Sequence, residues 1–203
     1  HVRRRNRLKQ AIKKEQRHEA ILSSLAKLDY LTRSQLQALH DLGSARNASR
    51  VMKSLEPYVT KFLDGEAVYY LTKEGRERTG ARKVRKRTIQ ARHFIMRNDL
   101  YIALGCPANW RNEVKLVVEN VVSIVADALF VKDGRYWIIE VDHQQKMSVN
   151  KAKIAKYRKM VELGVFKKAP RFVWITTTEY KRKRLLELCK GLDVKVYLAS
   201  EFH

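Results

Sequence analysis

Residues 122–142 read Val-Ser-Ile-Val-Ala-Asp-Ala-Leu-Phe-Val-Lys-Asp-Gly-Arg-Tyr-Trp-Ile-Ile-Glu-Val-Asp. The two apolar runs are typical of strands, and Asp133-Gly134 between them predicts the tight turn of a hairpin. Asp127 and Glu140 therefore fall on neighbouring strands, and Asp142 follows two residues later. We expect this hairpin and its carboxylates to form the centre of the second half of the chain.

Charge is distributed unevenly along this chain of 203 residues. Residues 113–142 contain six acidic and three basic side chains, whereas the formal net charge of the whole chain is +22. A protein this basic is expected to bind a polyanion. Nucleic acid is the first candidate partner, an anionic membrane surface is the second, and a role in the ribosome is the third possibility. Carboxylates repel a phosphate backbone unless a divalent ion lies between them. The pattern therefore predicts metal-dependent chemistry on nucleic acid.

Composition excludes several other classes of protein. A hydrophobic content of 45% allows a real core, in one domain or two small ones, and excludes a disordered tail. No apolar run reaches the length of a membrane span and no signal peptide is visible, so we expect a cytoplasmic protein without a membrane partner. Cys106 and Cys189 fit no metal-ligand pattern, and we interpret them as reduced thiols.

Residues 1–80 have the element order of a basic arm and a winged helix-turn-helix domain. Three short helical patterns, the second with Thr32 as its predicted N-cap, precede Asp64-Gly65, which predicts a hairpin or wing. The third helix begins at Ser44, and its polar face carries side chains suited to base edges and phosphates in a major groove: Arg46, Asn47, Ser49, Arg50 and Lys53. Lys61 in the wing is another candidate phosphate contact. An ordinary solvated helix face is the alternative.

Residues 81–88 carry five positive charges and separate two regions of different composition. We interpret this segment as a basic linker between two domains. Its cations are candidate contacts to DNA phosphates: Arg82, Lys83, Arg85, Lys86 and Arg87. The alternative is a solvated hinge, which is the usual role of a charge run.

Residues 89–203 are predicted to form a mixed α/β domain with a restriction-endonuclease-like fold. Two strand carboxylates about a dozen residues apart, followed by a basic helix, match the layout of the PD-(D/E)xK nuclease superfamily. In that layout an Asp and a Glu hold Mg²⁺, and a lysine positions the attacking water. Asp127 and Glu140 correspond to the two carboxylates, and Glu113 is a candidate third ligand.

The lysine of the nuclease pattern is absent from its usual position, where this chain has Asp142. Lys146 and Lys153 are candidates to supply the amine from a shifted position, and Asp142 is a candidate to support the metal. His93, on the first helix of this domain, is a weaker candidate, because a lone histidine is more often a packing or surface residue. A hairpin with incidental carboxylates is the alternative to the whole site.

Several short motifs follow one another in a recognisable order: Arg92-His93-Phe-Ile-Met-Arg-Asn98-Asp99, Trp110-Arg-Asn-Glu113, Ala126-Asp127-Ala, Glu140-Val-Asp142 and Lys153-Ile-Ala-Lys156-Tyr157. This order resembles the replication-relaxation proteins of plasmids and mobile elements in Gram-positive bacteria. The resemblance implies a winged helix joined to a PD-(D/E)xK-like domain and a role in plasmid replication and DNA relaxation. It also implies duplex DNA as a partner, with a homodimer and other replication or mobilisation proteins as further candidates.

Two functions follow from these expectations. The first is a DNA-binding nickase that uses Mg²⁺ or Mn²⁺. The rival is a replication initiator or transcriptional regulator without catalysis, in which the nuclease fold serves for binding or dimerisation.

Overall fold

The computed structural model describes residues 2–202, with side chains from Arg4 onward. The fold is mixed α and β, as the sequence predicts, and it divides into two compact units, His1–Asn98 and Asp99–His203. The first unit contains these elements: α1 (Val2–Leu28), β1 (Leu31–Thr32), α2 (Arg33–His40), α3 (Ala45–Lys53), β2 (Val59–Asp64), β3 (Glu66–Leu71) and α4 (Lys73–Thr79). A fifth helix, α5 (Ala91–Ala103), spans the division.

The first unit is built around the end of α1. The apolar side chains Ile21, Leu22, Leu25 and Leu28 are buried, with exposed fractions of 0–1%. Thr32 and Gln35 form a reciprocal capping box that starts α2. The predicted hairpin turns at Gly65, whose φ of +74° suits glycine, and β1 pairs with β3 to give the strand order β1-β3-β2.

One helix of this unit was not predicted from the sequence. Thr72 accepts a hydrogen bond from the Gly75 amide and starts α4, whereas the sequence suggested only the close of the hairpin. Residues 2–14, which include most of the basic arm, belong to α1. Residues 81–88 have no regular secondary structure and belong to the first unit.

The second unit contains one five-stranded sheet with two helices packed on it. Its elements after α5 are β4 (Arg111–Val118), β5 (Val122–Lys132), β6 (Arg135–Asp142), α6 (Met147–Glu162), β7 (Arg171–Thr176), α7 (Glu179–Leu188) and β8 (Asp193–Leu198), with a last 3₁₀ turn (Ala199–Glu201). The strand order is β4-β5-β6-β7-β8; the first two pairings are antiparallel and the last two parallel.

The predicted hairpin between β5 and β6 is present. Asp133 and Gly134 have φ values of +53° and +71°, as a tight turn with two left-handed residues requires. A buried cluster covers one face of the sheet, and α6 and α7 supply Tyr157 and Leu185 to it. Strand β6 pairs in parallel with β7, and Glu140 is the register partner of Trp174. The Trp174 side chain belongs to the same buried cluster.

Candidate functional site

The third helix presents the predicted polar face to solvent. Arg46, Ser49, Arg50 and Lys53 are exposed. Asn47 is half-buried: its side-chain amide donates to the Leu42 carbonyl at 2.8 Å, and its Oδ1 accepts from Arg50 at 2.6 Å. Asn47 therefore fixes the loop before α3 and orients Arg50, in addition to its predicted place among the DNA contacts.

A groove of about 720 Å³ separates α3 from the β2–β3 hairpin. Arg50 and Lys53 lie on one side, and Lys61 lies on the other, with its Nζ 5.9 Å from the centre of the Tyr69 ring. Burial raises the pKa of the Tyr69 hydroxyl. The residues that line the groove thus include three cations and four side chains with hydroxyl groups, together with apolar residues and the acidic Glu56.

The basic segment 81–88 divides into two kinds of side chain. Arg82, Lys83, Lys86 and Arg87 are exposed. Arg85 is half-buried and forms an ion pair with Asp29, with Nη2 2.6 Å from Oδ1. The structure therefore separates Arg85 from the other candidate phosphate contacts.

In the second unit, the β5 backbone is irregular at Asp127. Ala126 and Leu129 both belong to the buried cluster, although residues an odd number apart normally lie on opposite faces of a strand. The regular pairing of β5 with β6 ends at Ala128 and Ile139. Beyond that point the Val141 amide donates to Asp127 Oδ2 at 2.8 Å. The Asp127 carboxylate thus accepts a backbone hydrogen bond that a β5 carbonyl would accept in a regular antiparallel ladder.

Glu140 is fully buried next to Asp127. Tyr157 donates its hydroxyl to Glu140 Oε1, and Lys153 donates to Oε2. The same lysine Nζ is 3.9 Å from Asp127 Oδ2, so one ammonium lies between two carboxylates. Burial, and then the negative charge of Asp127, raise the pKa of Glu140 well above its usual value, and the lysine opposes this rise.

Asp142 is also fully buried but has different partners. Thr176 donates its hydroxyl to Oδ2 at 2.7 Å, and Lys181 donates to Oδ1 at 3.1 Å. Lys181 also donates to the Gln145 carbonyl at 3.2 Å, which ties the loop after β6 to α7. Lys181 was not a candidate from the sequence, because it is one of several basic residues on α7 and nothing in their order shows which of them faces the sheet.

The remaining candidates lie apart from this pair or on the surface. Glu113 is exposed, with a φ of +52°, and Lys146 precedes α6 without a side-chain capping bond. Across residues 2–202, no three side chains of His, Cys, Asp or Glu approach closely enough to hold a metal ion. The structure therefore brings together Asp127, Glu140 and Lys153, and does not add Glu113 as a third acidic ligand. Tyr157, which was not a candidate from the sequence, donates its hydroxyl directly to Glu140.

The family model described as replication-relaxation matches residues 22–173, which is most of the chain. The chain belongs to the replication-relaxation family. The description of this family names replication and relaxation, and the match includes α3 and the Asp127–Glu140–Lys153 cluster. In the part of the chain that the structure describes, no helix is both long and apolar enough to cross a bilayer.

Two further comparisons add little to this assignment. No curated protein has a matching sequence. Among solved structures, protein VC1899 from Vibrio cholerae is 12% identical with a TM-score of 0.38, and the alignment covers 88% of this chain and 47% of that one. This replication-relaxation protein thus spans about half the length of that structure.

Proposed function

We propose that this replication-relaxation protein binds duplex DNA through a winged helix in its first unit and cleaves a phosphodiester bond with its second. The proposal for the first unit rests on the order α1, α2, α3 and a β2–β3 hairpin, together with the exposed cations of α3. In a winged helix the third helix enters the major groove, where Arg46 and Arg50 would reach base edges.

The observation that carries the proposal for the second unit is the position of Lys153. Its ammonium contacts Glu140 and approaches Asp127, so an Asp, a Glu and a Lys meet on one sheet face, although the lysine comes from α6 rather than from β6. This supports a PD-(D/E)xK-like centre with a shifted lysine. Lys156, three residues later, is exposed on the same helix and is a weaker candidate.

The donor set is compatible with a divalent ion, because Mg²⁺ and Mn²⁺ prefer carboxylate oxygens. Asp127 and Glu140 would hold the ion, which supplies Lewis-acid activation of water and of the phosphate. The chain contributes the rest: the Val141 amide fixes Asp127, Tyr157 fixes Glu140, and the Lys153 ammonium orients water or the phosphate. Lys153 must leave Glu140 Oε2 when this oxygen binds another cation.

A second candidate function has its own support. Glu140 has no exposed surface, and both of its oxygens already accept hydrogen bonds from protein side chains. Such a satisfied cluster is also what a nuclease fold would retain if it served only for binding or dimerisation. The replication-relaxation protein would then be a non-catalytic initiator or regulator.

Supercoiled plasmid carrying the cognate site separates the two functions. If the centre is active, the protein nicks the plasmid with Mn²⁺ or Mg²⁺ and leaves it intact in EDTA. Asp127→Ala and Lys153→Ala should then eliminate nicking without weakening DNA binding, whereas Lys156→Ala, which removes the same charge from the same helix, should retain it. If the wild type binds DNA but neither nicks it nor takes up Mn²⁺ in calorimetry, the catalytic proposal fails and the binding platform remains.

A further inference from the structure

The backbone immediately after α1 carries a buried carboxylate with two arginine partners. Asp29 has a φ of +71°, and its side chain is 5% exposed. Its Oδ1 accepts hydrogen bonds from Arg85 Nε and Nη2 at 2.9 and 2.6 Å. Its Oδ2 accepts one from Arg97 Nη2 at 2.9 Å, and Arg97 is itself 1% exposed. Arg85, in the middle of the basic segment, is thus held by a fixed acid.

Other contacts hold the same part of the segment. The guanidinium of Arg85 lies 4.8 Å from the centre of the Phe94 ring, and that of Arg97 lies 5.2 Å from it. The Tyr30 hydroxyl donates to the backbone carbonyl of Lys86 at 2.8 Å. Two successive residues of a segment without helix or strand are therefore tied to buried groups of the first unit.

This attachment gives the segment an inner and an outer side. Arg85 points inward to Asp29, while Arg82, Lys83, Lys86 and Arg87 remain exposed. A segment whose backbone is already fixed loses less conformational entropy on binding than a flexible hinge with the same charges. The exposed cations are also spread over six residues, which suits a row of phosphates rather than a single small anion.

We propose that residues 82–87 form a pre-positioned ridge that binds the phosphate backbone of duplex DNA, and that Asp29 and Arg85 position this ridge without contacting DNA. The proposal rests on the DNA binding proposed above and goes beyond it. It assigns the four exposed cations to phosphate contact and removes Arg85 from that role. It also gives an acidic residue, Asp29, a favourable effect on the binding of a polyanion.

The matched variants Arg82→Met and Arg85→Met provide the first test, because each removes one positive charge and one trypsin site from the same segment. Binding to a duplex is measured as a function of salt concentration. Arg82→Met should remove one phosphate contact and lower the slope of log K against log salt by about 0.9. Arg85→Met should lower both slope and affinity further, because releasing the ridge weakens several contacts. Equal losses, or a smaller loss for Arg85→Met, overturn the proposal.

The second test uses the sign of the charge change. Asp29→Asn makes the protein more positive, so a purely electrostatic effect would tighten DNA binding. The ridge requires the opposite, a loss of about threefold or more, and unchanged or tighter binding contradicts it. If Asp29→Asn does not fold, Arg85→Met decides the matter, because it leaves the Asp29–Arg97 pair intact.

Limited trypsin digestion supplies a readout that does not involve DNA. Cleavage between residues 82 and 87, identified by mass spectrometry, should be faster in Arg85→Met than in Arg82→Met. Equal rates show that Arg85 does not hold the segment and overturn its positioning role. If no variant, nor the wild type, binds DNA at any salt concentration, the proposed function itself has failed. If the wild type and both variants bind DNA and the two variants lose affinity equally, only the proposed ridge has failed.

Discussion

Each unit of this protein contains a buried ionic cluster, and the two clusters have opposite charge balance. In the first unit one carboxylate, Asp29, faces two guanidinium groups, Arg85 and Arg97. In the second unit two carboxylates, Asp127 and Glu140, share one ammonium, that of Lys153. Buried charges are stable only when they are matched. The first cluster has two guanidinium groups around one carboxylate and holds backbone in place, whereas in the second the Lys153 ammonium lies between two carboxylates.

The imbalance in the second unit has a direct electrostatic consequence. Glu140 is buried beside Asp127, and both effects raise its pKa. A group in this position lowers its free energy either by taking up a proton or by gaining another cation. This difference separates the two clusters: Asp29 lies between two guanidinium groups, whereas Glu140 shares the Lys153 ammonium with a second carboxylate, Asp127.

The largest expected effect tests the structural cluster. Asp29→Ala leaves the buried Arg97 guanidinium without its carboxylate, so the free energy of unfolding should fall by about 3–5 kcal/mol. Urea denaturation measures this change. Glu19→Ala is the control, because its pair with Arg78 lies at the surface, where solvent screens it, and its loss should have little effect on stability. A loss of similar size in the two variants would contradict the comparison.

The exposed arginines of α3 test whether positive charges outside the buried clusters are used to recognise a DNA sequence. Arg46→Ala combined with Arg50→Ala should abolish the preference for a specific duplex, since each lost base contact costs about 1–3 kcal/mol of discrimination. Weak, salt-sensitive binding should persist. Competition assays with specific and unrelated duplexes measure the difference. Lys183→Ala combined with Arg184→Ala, two exposed positions of α7, is the charge-matched control. An unchanged preference would move recognition to another element.

Lys153 tests whether the second cluster accepts a cation. In EDTA, Lys153→Met should lower the free energy of unfolding by about 1–3 kcal/mol, because a buried carboxylate loses a donor but can take up a proton instead. Mn²⁺ should restore more of the melting temperature in this variant than in Lys181→Met, where the lost ammonium contacts Asp142 and the Gln145 carbonyl. If Mn²⁺ affects the two variants equally, no cation site exists between Asp127 and Glu140.

The smallest expected effect is the pH dependence of stability at Glu140. Because its pKa is raised in the folded state, the stability linked to its proton is fully present below the ordinary carboxyl pKa and is lost as the pH rises through the folded value. Glu140→Gln has no such proton to lose. Its stability relative to the wild type should therefore increase with pH, by at most about 1.4 kcal/mol per pH unit. Denaturation at several pH values checks this, and a constant difference would mean that Glu140 stays ionised.

The local elements were largely predictable because short-range chemistry specifies them. Thr32 and Ser44 start α2 and α3 where the sequence places them, since a hydroxyl before a helix accepts a bond from its first turn. Asp64-Gly65 and Asp133-Gly134 both form the predicted hairpin turns. The short helix α4 was missed, because a glycine in the middle of seven residues gives no helical pattern.

The candidate site was only partly predictable. Alternation along β6 places Glu140 and Asp142 on one face, and the hairpin places Asp127 beside them, so the sequence indicates the carboxylates. It offered several lysines and gave no means to choose among them. Lys153 and Lys181 meet different acids only because α6 and α7 cross the sheet at particular positions. Helix packing sets those positions, and its energy comes from many apolar contacts far apart in the sequence.

The sequence by itself determined the basic character of this replication-relaxation protein, most of its helices and strands, and the residues that carry charge. Only the tertiary structure decided which charges are used internally. Arg82 and Arg85 are equivalent in a charge count, yet Arg82 is exposed while Arg85 is paired with Asp29, 56 residues away. The physical reason is that ion pairing depends on distance and burial, and both are set by the folded chain rather than by the order of its residues.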